Sequence, residues 1–161
     1  GREPLFVDFS LARVAAVLPG RFIPLMRRSH HVVLIADAHL YPLALCYHQT
    51  FRDIAGVFRR DTPRARIIAT LRHLGAGEKM APPALPGEAR ISCREASVLE
   101  AMLRGVPARL LARHYRRDVK TLYGWRRNIA RKLAVQQLNH LLMLPAVRPG
   151  DAADGGRRWD T

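Results

Sequence analysis

The sequence predicts a chain of two unlike parts: a small α/β unit with a mainly parallel sheet over residues 1–74, and an all-α unit of four helices, containing a helix-turn-helix, over residues 91–145. Three observations carry this. Short runs rich in Val, Ile and Phe alternate with helically spaced segments before residue 75, and no strand pattern follows it. The stretch GAGEKMAPPALPGEAR (75–90) holds three Gly and three Pro without apolar periodicity, so it reads as a linker. The third observation is charge. Lys and Arg number 27 against 13 acids, a formal +14, and the bases crowd into the second part. A field of that sign draws polyanions, nucleic acid first and an anionic membrane second.

Taken in order, LFVDF (5–9), RFIPLM (21–26), HVVLIAD (31–37) and ARIIATL (65–71) are expected as strands. SLARVAAVL (10–18) and YHQTFRDIAGVFRRD (47–61) are expected as helices between them. Beyond the linker, Ser92 and Glu95 have capping-box spacing, so a helix should begin just after Ser92 and stop at Gly105. Pro107 should sit in the first turn of a short helix reaching about His114. Asp118 should cap a third helix running from Val119 to about Leu133. QQLNHLLML (136–144) forms a fourth, and its leucines exceed what one small core requires, which points to pairing with another chain. Residues 146–161, with GDAADGG and balanced charge, are expected to be a disordered tail.

Two short helices joined by a tight turn, the second rich in Lys and Arg, describe a helix-turn-helix. From Arg104 to Lys132 there are ten bases and one acid, Asp118, so ion pairing inside the protein is not expected to be their main role. Over residues 91–135, ISCREASVLEAMLRGVPARLLARHYRRDVKTLYGWRRNIARKLAV resembles without a gap the DNA-binding domain of LuxR/FixJ/NarL-type transcription regulators. Arg94, Glu95, Val98, Leu99, Gly105, Ala112, Lys120, Thr121, Arg126, Asn128, Ile129, Lys132, Leu133 and Val135 carry the resemblance. RRDVKT is similar to the corresponding stretch of the RcsB subgroup. The chain departs from the pattern at Leu110, Tyr115, Trp125 and Ala134, the last standing where the family has Gly.

The resemblance implies that the helix from Val119 lies in the major groove of double-stranded DNA. Tyr123, Gly124 and Arg127 would face base edges, with Arg127 suited to a guanine edge. Lys120, Thr121, Arg126 and Arg131 would meet phosphates, and Lys132 completes the DNA-facing set. Neutralising about six phosphates would give a log–log salt slope of about −5.

HHVVLIADAHLYP resembles the third strand of a receiver domain, with Asp37 at the phosphoacceptor's place. RARIIATL resembles the fourth, with Thr70 near the usual hydroxyl. The acidic pair after the first strand is reduced to Asp8, and no lysine-bearing fifth strand precedes the linker. The resemblance therefore implies a shortened, degenerate receiver, with Asp37 a vestigial phosphoacceptor and the unit serving dimerisation or partner docking.

His30, His31, His39 and His48, with Asp37 and Cys46, match no metal-site spacing, so no metal or cofactor is expected. Cys46 and Cys93 are too few for a disulfide framework and are expected as two reduced, buried thiols. With no glycine-rich phosphate loop, zinc-protease pattern or nucleophile elbow, an enzyme is not expected. No apolar run approaches the roughly 20 residues of a membrane span, and a cytoplasmic, nucleoid-associated bacterial protein is expected. The leading expectation is a sequence-specific transcription regulator acting as a homodimer or heterodimer, independent of phosphorylation. Two alternatives stand beside it: an interaction module that contacts DNA only in complex with a partner regulator, and a generic RNA or nucleoid binder.

Overall fold

Three parallel strands, β1 (Leu5–Phe9), β2 (Val32–Ala36) and β3 (Ile54–Arg59), lie side by side in chain order in the computed structural model. The structure describes residues 4–28, 31–75, 78–81, 89–136 and 138. A parallel sheet needs a crossover between neighbouring strands. After β1 the crossover is a 3-10 turn (Leu11–Arg13), α1 (Val14–Val17) and α2 (Pro19–Arg27); after β2 it is α3 (Tyr41–Thr50). Then α4 (Arg64–Arg72) leads toward the linker, followed by α5 (Cys93–Leu103), α6 (Ala108–Tyr115) and α7 (Val119–Lys132). A small parallel sheet with helices is thus present, as is the helical part, while several expected elements change type.

RFIPLM is part of a helix, not a strand. Pro19 sits in the first turn of α2, where its missing N–H costs nothing, and Phe22, Ile23 and Met26 bury one helical face while Arg21 and Leu25 remain exposed. YHQTFRDIAGVFRRD is not one helix: α3 ends at Thr50, a turn follows, and Ile54 to Phe58 are five consecutive buried residues of a strand covered on both faces. Such a strand lacks alternation, and Phe51, Ile54 and Phe58 imitate helical spacing by chance. ARIIATL belongs to the helix α4, begun at Pro63, and is not the expected fourth strand; the strand that follows β2 is IAGVFR. SLARVAAVL is helical as expected but short, because Leu18 precedes Pro19 and takes extended backbone.

One face of the sheet carries the core. Phe9, Phe22 and Tyr47 pack ring against ring, with centroids 4.8 to 5.6 Å apart, and the Tyr47 hydroxyl donates to the Val17 carbonyl at 2.8 Å. The same contiguous core takes in Ile91, Val98, Leu99, Ile129, Leu133 and Leu138 from beyond the linker. The Gly20 N–H donates to Glu100 Oε2 at 2.6 Å, and a β-carbon on Gly20 would stand 2.5 Å from the Arg104 guanidinium, so α2 and α5 meet closely and a side chain at Gly20 would require the Arg104 tip to move. His39 Nδ1 donates to the Leu133 carbonyl at 2.8 Å, tying the end of α7 to the loop after β2.

Glu78 to Ala81 run beside β3, where the Met80 N–H donates to the Ala55 carbonyl at 2.7 Å and Lys79 donates to the carbonyls of His48 and Phe51. Of the expected fourth helix (136–144), Gln136, exposed, and Leu138, buried, are described; its other residues and the 146–161 tail lie outside the described residues.

Three helix boundaries follow the sequence chemistry. Ser92 and Glu95 form both bonds of the capping box. Asp118 caps α7 by accepting from the Thr121 N–H at 2.8 Å. Pro107 stands one residue earlier than expected, as the N-cap of α6. The three described helices beyond the linker, α5, α6 and α7, each end in a Schellman arrangement, with Val106, Arg117 and Val135 N–H bonding back to Ala101, Ala112 and Ala130. The left-handed residue of these ends is Gly105 (φ 84°), Arg116 (φ 55°) and Ala134 (φ 56°).

Candidate nucleic-acid interface

Helix α7 is anchored by Leu122, Ile129 and Ala130, with Leu133 at its end, all buried. Advancing about 100° per residue, these positions fix one face inward and leave Lys120, Gly124, Arg127 and Arg131 on the opposite side, a stripe of about 16 Å. Lys120, Arg127 and Arg131 are exposed, as is Tyr123 at 50%. No hydrogen bond or ion pair reaches Lys120 or Arg127 among the described residues. Arg131 donates to Asn128 Oδ1 at 2.7 Å but keeps its exposure. The caps support the stripe: the Asp118 carboxyl is held below its ordinary range by its hydrogen bonds from Thr121, so it stays ionised at the positive end of the helix.

Gly124 lies in the middle of the stripe, and a β-carbon there would meet nothing within 4 Å. The backbone is therefore bare at the centre of the cationic face, open to close approach of a partner's surface. Thr121 is half-buried at the capped end. Arg126 is half-buried and engaged within the protein; with Tyr123 it lines a cleft of about 200 Å³ against Met102, Val106 and Leu138.

Lys132 is not on the outward face. Its ammonium pairs with Glu95 Oε1 at 2.7 Å and its side chain is only 9% exposed, so the acid that sequence reading missed comes from α5. Glu95 also accepts from Asn128 Nδ2 at 3.2 Å while closing the capping box. Three motif positions, Glu95, Asn128 and Lys132, thus converge to hold α7 against α5. Trp125, a departure from the family pattern, fills the flank: its ring meets Tyr115 edge-on at 5.5 Å and lies 5.6 Å from the Arg94 guanidinium. Neither the Glu95 hub nor the Arg94–Trp125 contact was legible as a contact in the sequence, although every residue except Trp125 belongs to the matched motif.

The receiver-like positions present different chemistry. Asp37 follows β2, but Oδ2 accepts from the Leu11 N–H at 2.7 Å and Oδ1 from the Leu40 N–H at 2.9 Å. Its carboxylate clasps two loops. Asp8, at the same edge, faces the guanidinium groups of Arg13 at 4.0 Å and Arg60 at 3.9 Å. Thr70 does not join Asp37: it lies on α4 and donates to the Arg66 carbonyl. His31 is half-buried, His48 is buried, and His30 lies outside the described residues. No three His, Cys, Asp or Glu side chains among the described residues are grouped to hold a metal ion, and no described helix is long and apolar enough to cross a membrane. Of the two cysteines, Cys46 is buried, but Cys93 is half-exposed rather than buried.

No protein-family model and no curated protein matches the sequence. Two solved structures are similar in arrangement. One is described as the two-component response regulator RcsB in complex with DNA, 19% identical, with a TM-score of 0.41 over 91% of this chain and 76% of that one. The other is the RcsB response regulator of Salmonella typhimurium, 21% identical, with a TM-score of 0.33 over 86% and 73% of the two chains.

Proposed function

We propose that the protein is a sequence-specific, DNA-binding transcription regulator that inserts α7 into the major groove and acts as a dimer without phosphorylation. The observation that supports it best is the stripe of Lys120, Arg127 and Arg131, exposed around the bare backbone of Gly124 and opposite a fully buried apolar face. Arg127 is the base reader in this reading, and Tyr123 flanks it. Lys120, Arg131 and the helix-flanking Thr121 meet phosphates. Arg126 acts from the edge, and Lys132 holds α7 in place instead of touching DNA. The dimer follows from size, since one recognition helix offers few base contacts and paired half-sites supply the rest.

With Lys132 withdrawn, about five phosphates remain to be neutralised, so the log–log salt slope is expected near −4.5. Selection of bound sites from random duplexes tests the reading directly. A palindrome is expected for a homodimer and an asymmetric site for a heterodimer; no enriched sequence would overturn it. In the selected duplex, Lys120→Ala with Arg127→Ala is expected to lower affinity by about 100-fold, a base contact being worth roughly 1 to 3 kcal/mol.

A further inference from the structure

The chain has two cysteines, one on each side of the linker, and folding brings them together. Cys46 lies in the buried part of α3, and Cys93 is the first residue of α5. Thr50 touches both residues and so places them side by side at the junction of α3 and α5: its hydroxyl donates to the Cys46 carbonyl at 2.8 Å and lies 3.6 Å from Cys93 Sγ. The pair is asymmetric in access, since Cys46 is buried and Cys93 is half-exposed.

We propose that Cys46 and Cys93 form a reversible disulfide between α3 and the first turn of α5 on encounter with a small-molecule disulfide such as oxidised glutathione. The Cys93 thiolate attacks one sulfur of the oxidant and displaces a thiolate, leaving a mixed disulfide on Cys93. Cys46 then gives up its proton and attacks the Cys93 sulfur, displacing the second thiol. Two protein thiols are oxidised, one oxidant disulfide is reduced to two thiols, and no other reactant is needed.

The two steps differ in pace. Burial, followed by the neighbouring Cys93, pushes the Cys46 thiol up from its ordinary value, so its thiolate is scarce at neutral pH and the second step is the slow one. The bond closes a loop containing β3, α4 and the linker, which restricts the unfolded chain and raises the melting temperature. It also fixes the end of α5 from which Glu95 holds Asn128 and Lys132, so oxidation sets the seat of α7 against α5.

The test treats the reduced full chain with excess oxidised glutathione at about pH 8.5, near the ordinary thiol pKa, without denaturant. Expected are loss of both free thiols, an intact mass lower by two hydrogens, a Cys46–Cys93 linked peptide in a proteolytic map, and a raised melting midpoint that dithiothreitol reverses. Cys46→Ser is expected to stop at a stable glutathione adduct on Cys93. A wild-type chain that stops at that adduct, links to a second chain, or keeps both thiols overturns the proposal. The peptide map of the unmutated chain decides this even where a variant fails to fold.

Discussion

The C-terminal edge of the sheet and the outward face of α7 both gather charged side chains, but they treat them in opposite ways. At the sheet edge, each Asp37 oxygen accepts a backbone N–H, and Asp8 faces two arginines. On α7, Lys120 and Arg127 project with no internal partner among the described residues. Charge held by the protein's own groups serves the fold, whereas solvated charge arranged on a rigid helix remains available to a ligand. Lys132 makes the distinction sharp: it belongs to the same helix and the same sequence motif as Lys120, yet it is spent on Glu95.

That contrast breaks most visibly at Glu95. Glu95→Ala removes the return bond of the capping box, the Asn128 contact and the partner of a Lys132 side chain only 9% exposed. Stranding one member of a buried pair costs about 3 kcal/mol or more. Urea unfolding should show that loss, and replacing Lys132 with Met in the same chain should restore part of it. A change under about 1 kcal/mol would mean that Lys132 is solvated after all.

Asp37→Ala comes next. Two backbone N–H groups lose their acceptor in a part-buried loop clasp, with an expected cost of about 2 kcal/mol by equilibrium unfolding. The same variant should bind the selected duplex as tightly as the parent. Weakened binding in a chain that remains folded would restore Asp37 as a functional acceptor.

A buried titratable group extends the comparison to pH. His48 is 3% exposed, and no hydrogen bond of good geometry reaches either ring nitrogen among the described residues. Burial first, then the Lys79 charge, lowers its pKa from the ordinary 6.5. The folded state therefore resists protonation while the unfolded chain accepts it. Stability from neutral His48 is complete above pH 6.5 and is lost as pH falls through the lowered value. A His48→Leu chain should lack that acid-side decline in thermal unfolding measured across this window; an unchanged decline would place its source elsewhere.

The helical part was legible because its signals are local. Ser92 with Glu95, Gly105 and Asp118 each decide a boundary through bonds to residues three or four away, and all act as expected. The α/β part was legible only in outline. ARIIATL and IAGVFR are both short apolar runs, and neither period nor composition separates the surface helix from the buried strand; the partner surfaces do. For the candidate site, the inward and outward faces of α7 follow from periodicity, but the withdrawal of Lys132 depends on Glu95, 37 residues earlier in the chain.

Smaller effects test the helix ends and the bare centre of the stripe. Ala134 adopts φ 56°, a conformation that costs a residue with a β-carbon about 1 kcal/mol and glycine almost nothing. Ala134→Gly should therefore stabilise the chain by about 1 kcal/mol in urea. Gly124→Ala should do the same in an open helix interior, yet weaken duplex binding by covering the backbone. Unaltered affinity would show that no partner approaches α7 at Gly124.

The smallest expected stability change carries the most information. Lys120→Ala with Arg127→Ala removes two exposed cations that have no partner among the described residues, and surface changes of this kind stay within about 0.5 kcal/mol. Alanine also favours helix as well as the residues it replaces, and relieving a concentrated positive field opposes any loss. The double variant should thus unfold in urea with the parent, while its duplex affinity falls by about the 100-fold of two lost contacts. An equal fall in stability would place both side chains among the groups that hold the fold. Unchanged stability with unchanged binding would make the stripe a solvated face, and the difference between the two charged regions would then be one of exposure alone.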